Sequence, residues 1–411
     1  METIRENADK IIKAALASAM PDAAVKRAVE HLPSISGRTL LVAAGKAAWQ
    51  MANAAYALLG DTICDGIVIT KYHHAKGSIG PLRIREAGHP VPDENSYAAT
   101  EEAIELVRPL GEDDLVLFLL SGGGSALFEL PLCSEGELDR ITRHLLGCGA
   151  DITEINTVRK RLSAVKGGRF ATLCAPARVF SVILSDVIGD PPDMIASGPA
   201  YPDSTTCEDA LAIAEKYALP LSEKTRALLR KETPKTLRNV ETHITGSVKQ
   251  LCRAAAQTAE ALGYRAEILT EELCCEARDA GREFAALARA HRNTAVSLAL
   301  IAGGETVVHL TGDGLGGRNQ ELALSAVPGL DGLRNTLLFS LGSDGTDGPT
   351  DAAGGMVDGT TAELLRNANI DIAEVLRQND SYHALAAADA LLFTGPTGTN
   401  VNDLVCLLIK R

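Results

Sequence analysis

The chain has 411 residues, 46% of them hydrophobic and 23% charged, with a net charge of −13 and a pI near 5.2. That length exceeds one ordinary core and implies roughly two or three globular domains. The acidic balance argues against non-specific nucleic-acid binding.

The N-terminal stretch METIRENADKIIKAAL lacks the apolar core of a signal peptide. No stretch reaches the roughly 18 consecutive apolar residues of a membrane span, so a cytoplasmic protein is expected. Residues 3–31 read as two amphipathic helices separated near Pro21, with Ile4, Ala8, Ile11, Ile12 and Ala15 at helical spacing. Residues 39–59 read as strand, tight loop and helix. Lys46 follows Gly45 at the strand's carboxyl end, among small alanines, where α/β sheets bind ligands. Residues 63–74 form a second strand running into Lys71, His73 and His74. Adjacent histidines without a third ligand read as a polar loop rather than a metal site. Residues 83–96 end a strand and begin a helix capped by Asp93 or Ser96, with His89 a candidate for substrate contact.

The most informative stretch is 115–128, LVLFLLSGGGSALF. Six apolar residues ended sharply by serine and glycine predict a strand buried on both faces. Ser121, Gly122, Gly123, Gly124 and Ser125 then offer backbone N–H groups to an anion, as strand–glycine loop–helix turns do for phosphate. No P-loop sequence occurs. Within 154–174, Arg159, Lys160, Arg161, Lys166 and Arg169 form a basic run. Helical spacing puts Arg159 and Lys166 on one face, suited to an anionic ligand. Residues 178–203 predict a strand and a rigid loop carrying Asp186, Asp190 and Asp193, candidates for Mg²⁺ ligation or general-base work.

Residues 204–240 read as polar helices that end a first domain, 1–240, leaving a second at 241–411. Residues 1–36 could dock on either. Strand, helix and strand are expected over 241–269, a helix over 276–292, and two strands, a glycine loop and a helix over 294–327. TGDGLGGRNQE (311–321) matches the dinucleotide pattern G-x-G-x-x-G formally. Asp313 inside the loop would face a pyrophosphate. The group from Arg318 to Glu321, with Gly316, Gly317 and Asn319, suits phosphate or substrate better. GSDGTDGPTDAAGG (342–355) places Asp344, Asp347 and Asp351 beside glycines, a pattern suited to Mg²⁺. Helices fill 360–388. The last stretch, 391–410, is strand, loop and strand, with Thr399 and Asn400 placed to orient a ligand. Nine scattered cysteines, with no C-x-x-C pair, argue for free thiols in a reducing compartment and against a disulfide framework or a zinc site. No Ser-His-Asp order or nucleophile elbow appears. Phosphate loops, carboxylates and cations together point to a nucleotide-dependent transferase.

The segments SGGGSALFELP, INTVRKRLSAVKGGRFA, SDVIGDPPDMIASGP, GGRNQELALSA, GSDGTDGPTDAAGG and TGTNVNDL stand in the order and at about the separations of the class II glycerate kinases. The chain resembles that family, glycerate 2-kinases with a C-terminal MOFRL domain, over nearly its whole length. The resemblance implies an N-terminal doubly wound, Rossmann-like parallel sheet and a C-terminal α/β MOFRL-type domain, with the active site in the cleft between them. It implies ATP-dependent, Mg²⁺-assisted phosphorylation of D-glycerate at its 2-hydroxyl, by a monomer or homodimer without nucleic-acid or membrane partners. Lys46 and Arg318 match the lysine and arginine tied most directly to activity. Residues and resemblance together suggest Asp186 as the carboxylate that takes the hydroxyl proton or holds Mg²⁺. They suggest Ser121–Ser125 with Gly316, Gly317 and Asn319 for nucleotide phosphates, and Arg159, Lys166 and Asn400 for substrate. Asp190, Asp344 and Asp347 are the candidate metal ligands. The alternatives are a hydroxypyruvate reductase, drawing on the pattern at Gly312, and a non-catalytic sugar-acid or nucleotide sensor.

Overall fold

The computed structural model describes residues 3–411 and divides into two compact units. One is Ala24–Thr245; the other joins the segment ending at Ala23 to Gly246–Arg411.

The Ala24–Thr245 unit is built on six strands: β1 (Thr39–Ala44), β2 (Ile63–Lys71), β3 (Arg83–Ala87), β4 (Leu115–Leu120), β5 (Arg178–Leu184) and β6 (Val240–Gly246). Their order is β3-β2-β1-β4-β5-β6, and the first five run parallel. β1 and β4 are buried along their whole length, which is why both are apolar without alternation. The chain winds outward from β1 through β2 to β3, then returns to start β4 on β1's other side. At that reversal, the switch point of the sheet, the loops leaving β1 and β4 lie side by side at the strands' carboxyl ends, where α/β sheets bind ligands. Behind it, the rings of Phe118, Phe128 and Phe170 pack with centroids 4.7, 5.0 and 5.6 Å apart. Phe118 lies on β4 and Phe128 just past the glycine loop, so this cluster backs the loop with a dense core.

The second unit carries β7 (Arg265–Leu273), β8 (Leu298–Gly304), β9 (Thr336–Gly342), β10 (Gly354–Asp358), β11 (Leu391–Leu392) and β12 (Asp403–Ile409). The order is β11-β10-β9-β12-β8-β7; β7 and β8 are parallel and the other pairings antiparallel. Because β12 runs against both neighbours, Asp403, its first residue, stands opposite Gly304 and Gly342, the last residues of β8 and β9. Loops from three strands therefore meet at one end of this sheet.

Two expectations change, at the domain boundary and over 294–327, and one left open, the docking of the N-terminal helix, is decided. The first strand of 241–269 joins the first sheet as β6 beside β5, so the boundary falls after Thr245 rather than at 240. The helix Ile4–Ser18 belongs to the second unit, where Ala8, Ile11, Ile12 and Ala15 are buried and Asn7 Nδ2 donates to Tyr264 OH at 2.8 Å. Over 294–327 there is one strand, β8, followed by a long loop. All nine cysteines are free thiols, and no described helix is long and apolar enough to cross a membrane.

Candidate active site

The first group of candidate residues lies on the loops that leave β1 and β4. Ser121, 1% exposed, joins the two loops, because its Oγ accepts the Ala47 N–H at 3.0 Å. The Lys46 N–H donates to Gly122 O at 2.9 Å. Gly122 is required sterically: a Cβ there would lie 2.1 Å from Asp186 Oδ2, so the Asp186 carboxylate sits directly against the loop. Gly123 has φ +85°, and a Cβ would lie 3.0 Å from His89 Cδ2 and 3.2 Å from Lys46 Cγ. The sequence brings Lys46, His89, Gly122, Gly123 and Asp186 from four separate segments onto one loop. The N–H groups of Gly122 and Gly123 meet no acceptor, and Lys46 has no ion-pair partner, among the described residues. Burial, and then the charges of Lys46 and Lys71 and the neighbouring His74, push the His89 imidazole down to about 4, so it is neutral at pH 7.

Beneath the loop the basic run takes up posts. The helix Ile152–Leu162 ends before Lys166, so the expected shared face does not form. Arg159 and Lys166 nonetheless converge on the same carbonyl, donating to Ser125 O at 3.1 and 2.8 Å. Lys166 is fully buried, donates also to Phe128 O at 3.1 Å, and lies 3.5 Å from the buried Glu129. Burial lowers its ammonium to about 8. Lys166 therefore holds the loop's backbone from below instead of facing a ligand. Lys160 ties Asp193 at 3.2 Å to Asp203 at 3.1 Å, linking the middle of the loop that follows β5 to its far end. The Ser125 hydroxyl lies 3.2 Å from that of Ser197, in the same loop.

In the second unit, Arg318 opens the helix Arg318–Leu330 and is held by two carboxylates. Its Nε and Nη2 donate to Asp403 at 2.6 and 2.9 Å, and its Nη1 to Glu305 Oε1 at 2.8 Å. These contacts raise the guanidinium above its ordinary value despite burial. Asp403 and Glu305 were not singled out from the sequence. The signal was present for Asp403, which ends the segment TGTNVND, but its pairing needs β12 inserted between β8 and β9.

The metal candidates separate. Asp347 spends both carboxylate oxygens on the start of the Arg318–Leu330 helix, accepting the N–H groups of Asn319 at 3.2 Å and Gln320 at 2.9 Å. That is a helix cap, and it does not fit a cation site. Asn319 completes the cap, its Nδ2 3.3 Å from Asp347 and its Oδ1 2.5 Å from Ser340 Oγ, and is 1% exposed. Asp344 Oδ1 accepts the Thr346 N–H at 3.0 Å in a local turn. Asp190 is 7% exposed with φ +55°, on the loop after β5. Gly316 and Gly317 lie in the loop before the helix, and Asn400 is exposed with its Oδ1 3.3 Å from the Asn402 N–H. Asp186, beside donors suited to phosphate oxygens, fits Mg²⁺ best, since that ion uses one or two carboxylates together with phosphates.

The G-x-G-x-x-G segment does not cradle a ligand in this fold. The Gly312 N–H donates to Asn379 Oδ1 at 3.0 Å, that of Gly314 to Gln378 O at 2.8 Å, and that of Leu315 to Asp380 Oδ1 at 3.0 Å. The donors a pyrophosphate would need are consumed internally.

A doubly wound sheet with an open, cation-flanked glycine loop at its switch point defines an α/β enzyme of the phosphotransferase class. Two family models match, "Domain of unknown function (DUF4147)" over residues 7–230 and the MOFRL family over residues 298–403. The chain is 54% identical to the D-glycerate 2-kinase of Thermotoga maritima, covering 99% of each chain, and 42% identical to the glycerate 2-kinase of Pyrococcus horikoshii, covering 99% of this chain and 97% of that one. It is 42% identical, over 91% of its length and all of the relative's, to a putative hydroxypyruvate reductase of Agrobacterium vitis. The crystal structure of the Thermotoga maritima glycerate kinase matches with a TM-score of 0.95 at 53% identity, covering 98% of this chain and 99% of that one. The chain belongs to the MOFRL-containing glycerate kinase family.

Proposed function

We propose that this protein transfers the γ-phosphoryl group of ATP to the 2-hydroxyl of D-glycerate, giving 2-phospho-D-glycerate and ADP. The observation that carries the reading is the loop Ser121–Ser125, whose N–H groups at Gly122 and Gly123 meet no acceptor among the described residues and lie beside Lys46, without an ion-pair partner among them, and against Asp186. The N–H groups bind phosphate oxygens, and Lys46 balances charge on the transferring group. The C2 oxygen attacks the γ-phosphorus and the bond to the β,γ-bridging oxygen breaks. Asp186 either takes the hydroxyl proton or holds the Mg²⁺ that would neutralise charge on the phosphates. Lys166 and Arg159 fix the Ser125 carbonyl and so the loop's shape. Within the second unit, Arg318 is oriented by Asp403 and Glu305, leaving a guanidinium of fixed direction at the start of its helix.

The reductase reading has little support, because the glycine pattern it needs has its donors occupied. A phosphorus NMR time course with ATP, Mg²⁺ and D-glycerate tests the proposal. 2-Phosphoglycerate and ADP should appear together. 3-Phosphoglycerate would overturn the regiochemistry, and intact ATP would overturn the acceptor.

A further inference from the structure

The second unit carries a cavity walled in part by the far end of the helix that Arg318 opens. Helices Ala277–Ala290 and Arg318–Leu330 approach so closely that a Cβ on Gly281 would lie 2.0 Å from Ser325 Oγ, and one on Gly329 2.4 Å from Ala285 Cβ. Where the helix Ile372–Arg377 meets them, a cavity of about 480 Å³ opens. Its walls include Ala285, Ile372 and Leu376, and four guanidiniums surround it, those of Arg278, Arg282, Arg289 and Arg377. No acidic residue lines it among the described residues. Carboxylates just outside the lining pair with three of the four, so the cavity presents guanidinium donors whose charge is balanced nearby.

The four arginines differ in commitment. Arg289 donates to Gly329 O at 2.7 Å and Pro328 O at 3.1 Å, closing the last turn of the Arg318–Leu330 helix. Arg278 pairs with Glu321 at 2.7 Å, but its Nη2 is buried without a partner. Arg282 and Arg377 are held only by their own helix neighbours, Asp279 at 3.2 Å and Glu374 at 2.5 Å, with side chains 63% and 62% exposed. Such exposed pairs are weak and exchange readily for a better anion. A planar carboxylate is saturated by one guanidinium fork, whereas a phosphate accepts forks from several directions. The volume suits a small metabolite.

We propose that this cavity binds a small organic phosphate, with Arg282 and Arg377 closing on the dianion and the carbon skeleton lying against Ala285 and Leu376. The site lies in the other unit from the β1 and β4 loops and does not rest on the kinase reading. The test is titration calorimetry of the full chain with phenyl phosphate and with inorganic phosphate, repeated on the double variant Arg282→Ser/Arg377→Ser. Both positions are exposed, so the variant should melt as the parent does without ligand. Phenyl phosphate should bind at least about tenfold more tightly than inorganic phosphate, and the double variant should lose about tenfold or more in affinity. Unchanged affinity in the variant would place binding elsewhere, at the glycine loop, and overturn the proposal. So would no heat at millimolar ligand. Equal affinity for inorganic phosphate would overturn an organic ligand.

Discussion

Replacing Lys46 by methionine removes a charge while keeping most of the side chain's length and packing. Lys46 lies beside Gly123 and His89 and has no ion-pair partner among the described residues, so its charge is available to a ligand. One unit charge about 4 Å from another, at an effective dielectric of about 20, is worth ~4 kcal/mol. If that interaction develops with the transferring phosphoryl group, kcat falls about 10³-fold. KM for glycerate should move far less, since the interaction strengthens in the transition state. The same substitution has a readout independent of turnover. Burial is the largest cause of the low His89 value of about 4, and Lys46 the next, so the His89 midpoint should rise in the variant. Proton-detected NMR of the imidazole across pH 3–8 measures it. A kcat within about tenfold of the parent would refute the catalytic role. An unmoved His89 would refute the proximity on which the estimate rests.

Gly122→Ala should leave a folded protein with sharply reduced turnover, because its Cβ must displace the Asp186 carboxylate that would otherwise lie 2.1 Å away; full activity in a steady-state assay would show that Asp186 is not needed there. Ser121→Ala strands the Ala47 N–H and unpins the β1 and β4 loops, at a cost of about 1–3 kcal/mol in urea unfolding. Lys166 should reveal itself through pH. Its folded value of about 8 lies below the ordinary lysine value of 10.5, so between these the unfolded chain holds more protons and stability rises with pH. Relative to Lys166→Met, parent stability should climb by up to ~3 kcal/mol from pH 8 to 10.5, and parallel curves would place the ammonium in water.

The local features were legible because they depend on neighbours in sequence. The six-residue apolar run of β4, ended by serine and glycine, reads as a buried strand, and SGGGS reads as a turn that brings backbone donors to an anion. What each charged residue faces was not legible. Lys166 and Arg159 read as ligand-facing cations, yet both point at Ser125 O, because the helix ends at Leu162 and the chain turns under the loop. Asp347 reads as a metal ligand by its glycine neighbours, yet it caps a helix that begins 29 residues earlier in the chain. Asp403 and Glu305 looked unremarkable until an antiparallel strand placed one beside the end of the strand preceding the other.

The same reasoning explains why the formal G-x-G-x-x-G pattern misleads. A glycine pattern reports only that backbone must approach something closely. At Gly122 the neighbour is a carboxylate and the N–H groups of Gly122 and Gly123 remain open, which is the condition for binding an anion. At Gly312 and Gly314 the neighbours are Gln378 and Asp380, and the donors are spent. Asn379 is the residue that decides the second case, since its Oδ1 accepts from Thr311 and Gly312 while its Nδ2 donates to Glu321 at 3.0 Å. Asn379→Ala should therefore loosen the 305–317 loop without creating nucleotide affinity. Hydrogen exchange at Thr311 and Gly312 should accelerate, and NADH titration should remain silent. Tight NADH binding by that variant would mean that the loop was a masked dinucleotide site after all, and the reductase reading would return.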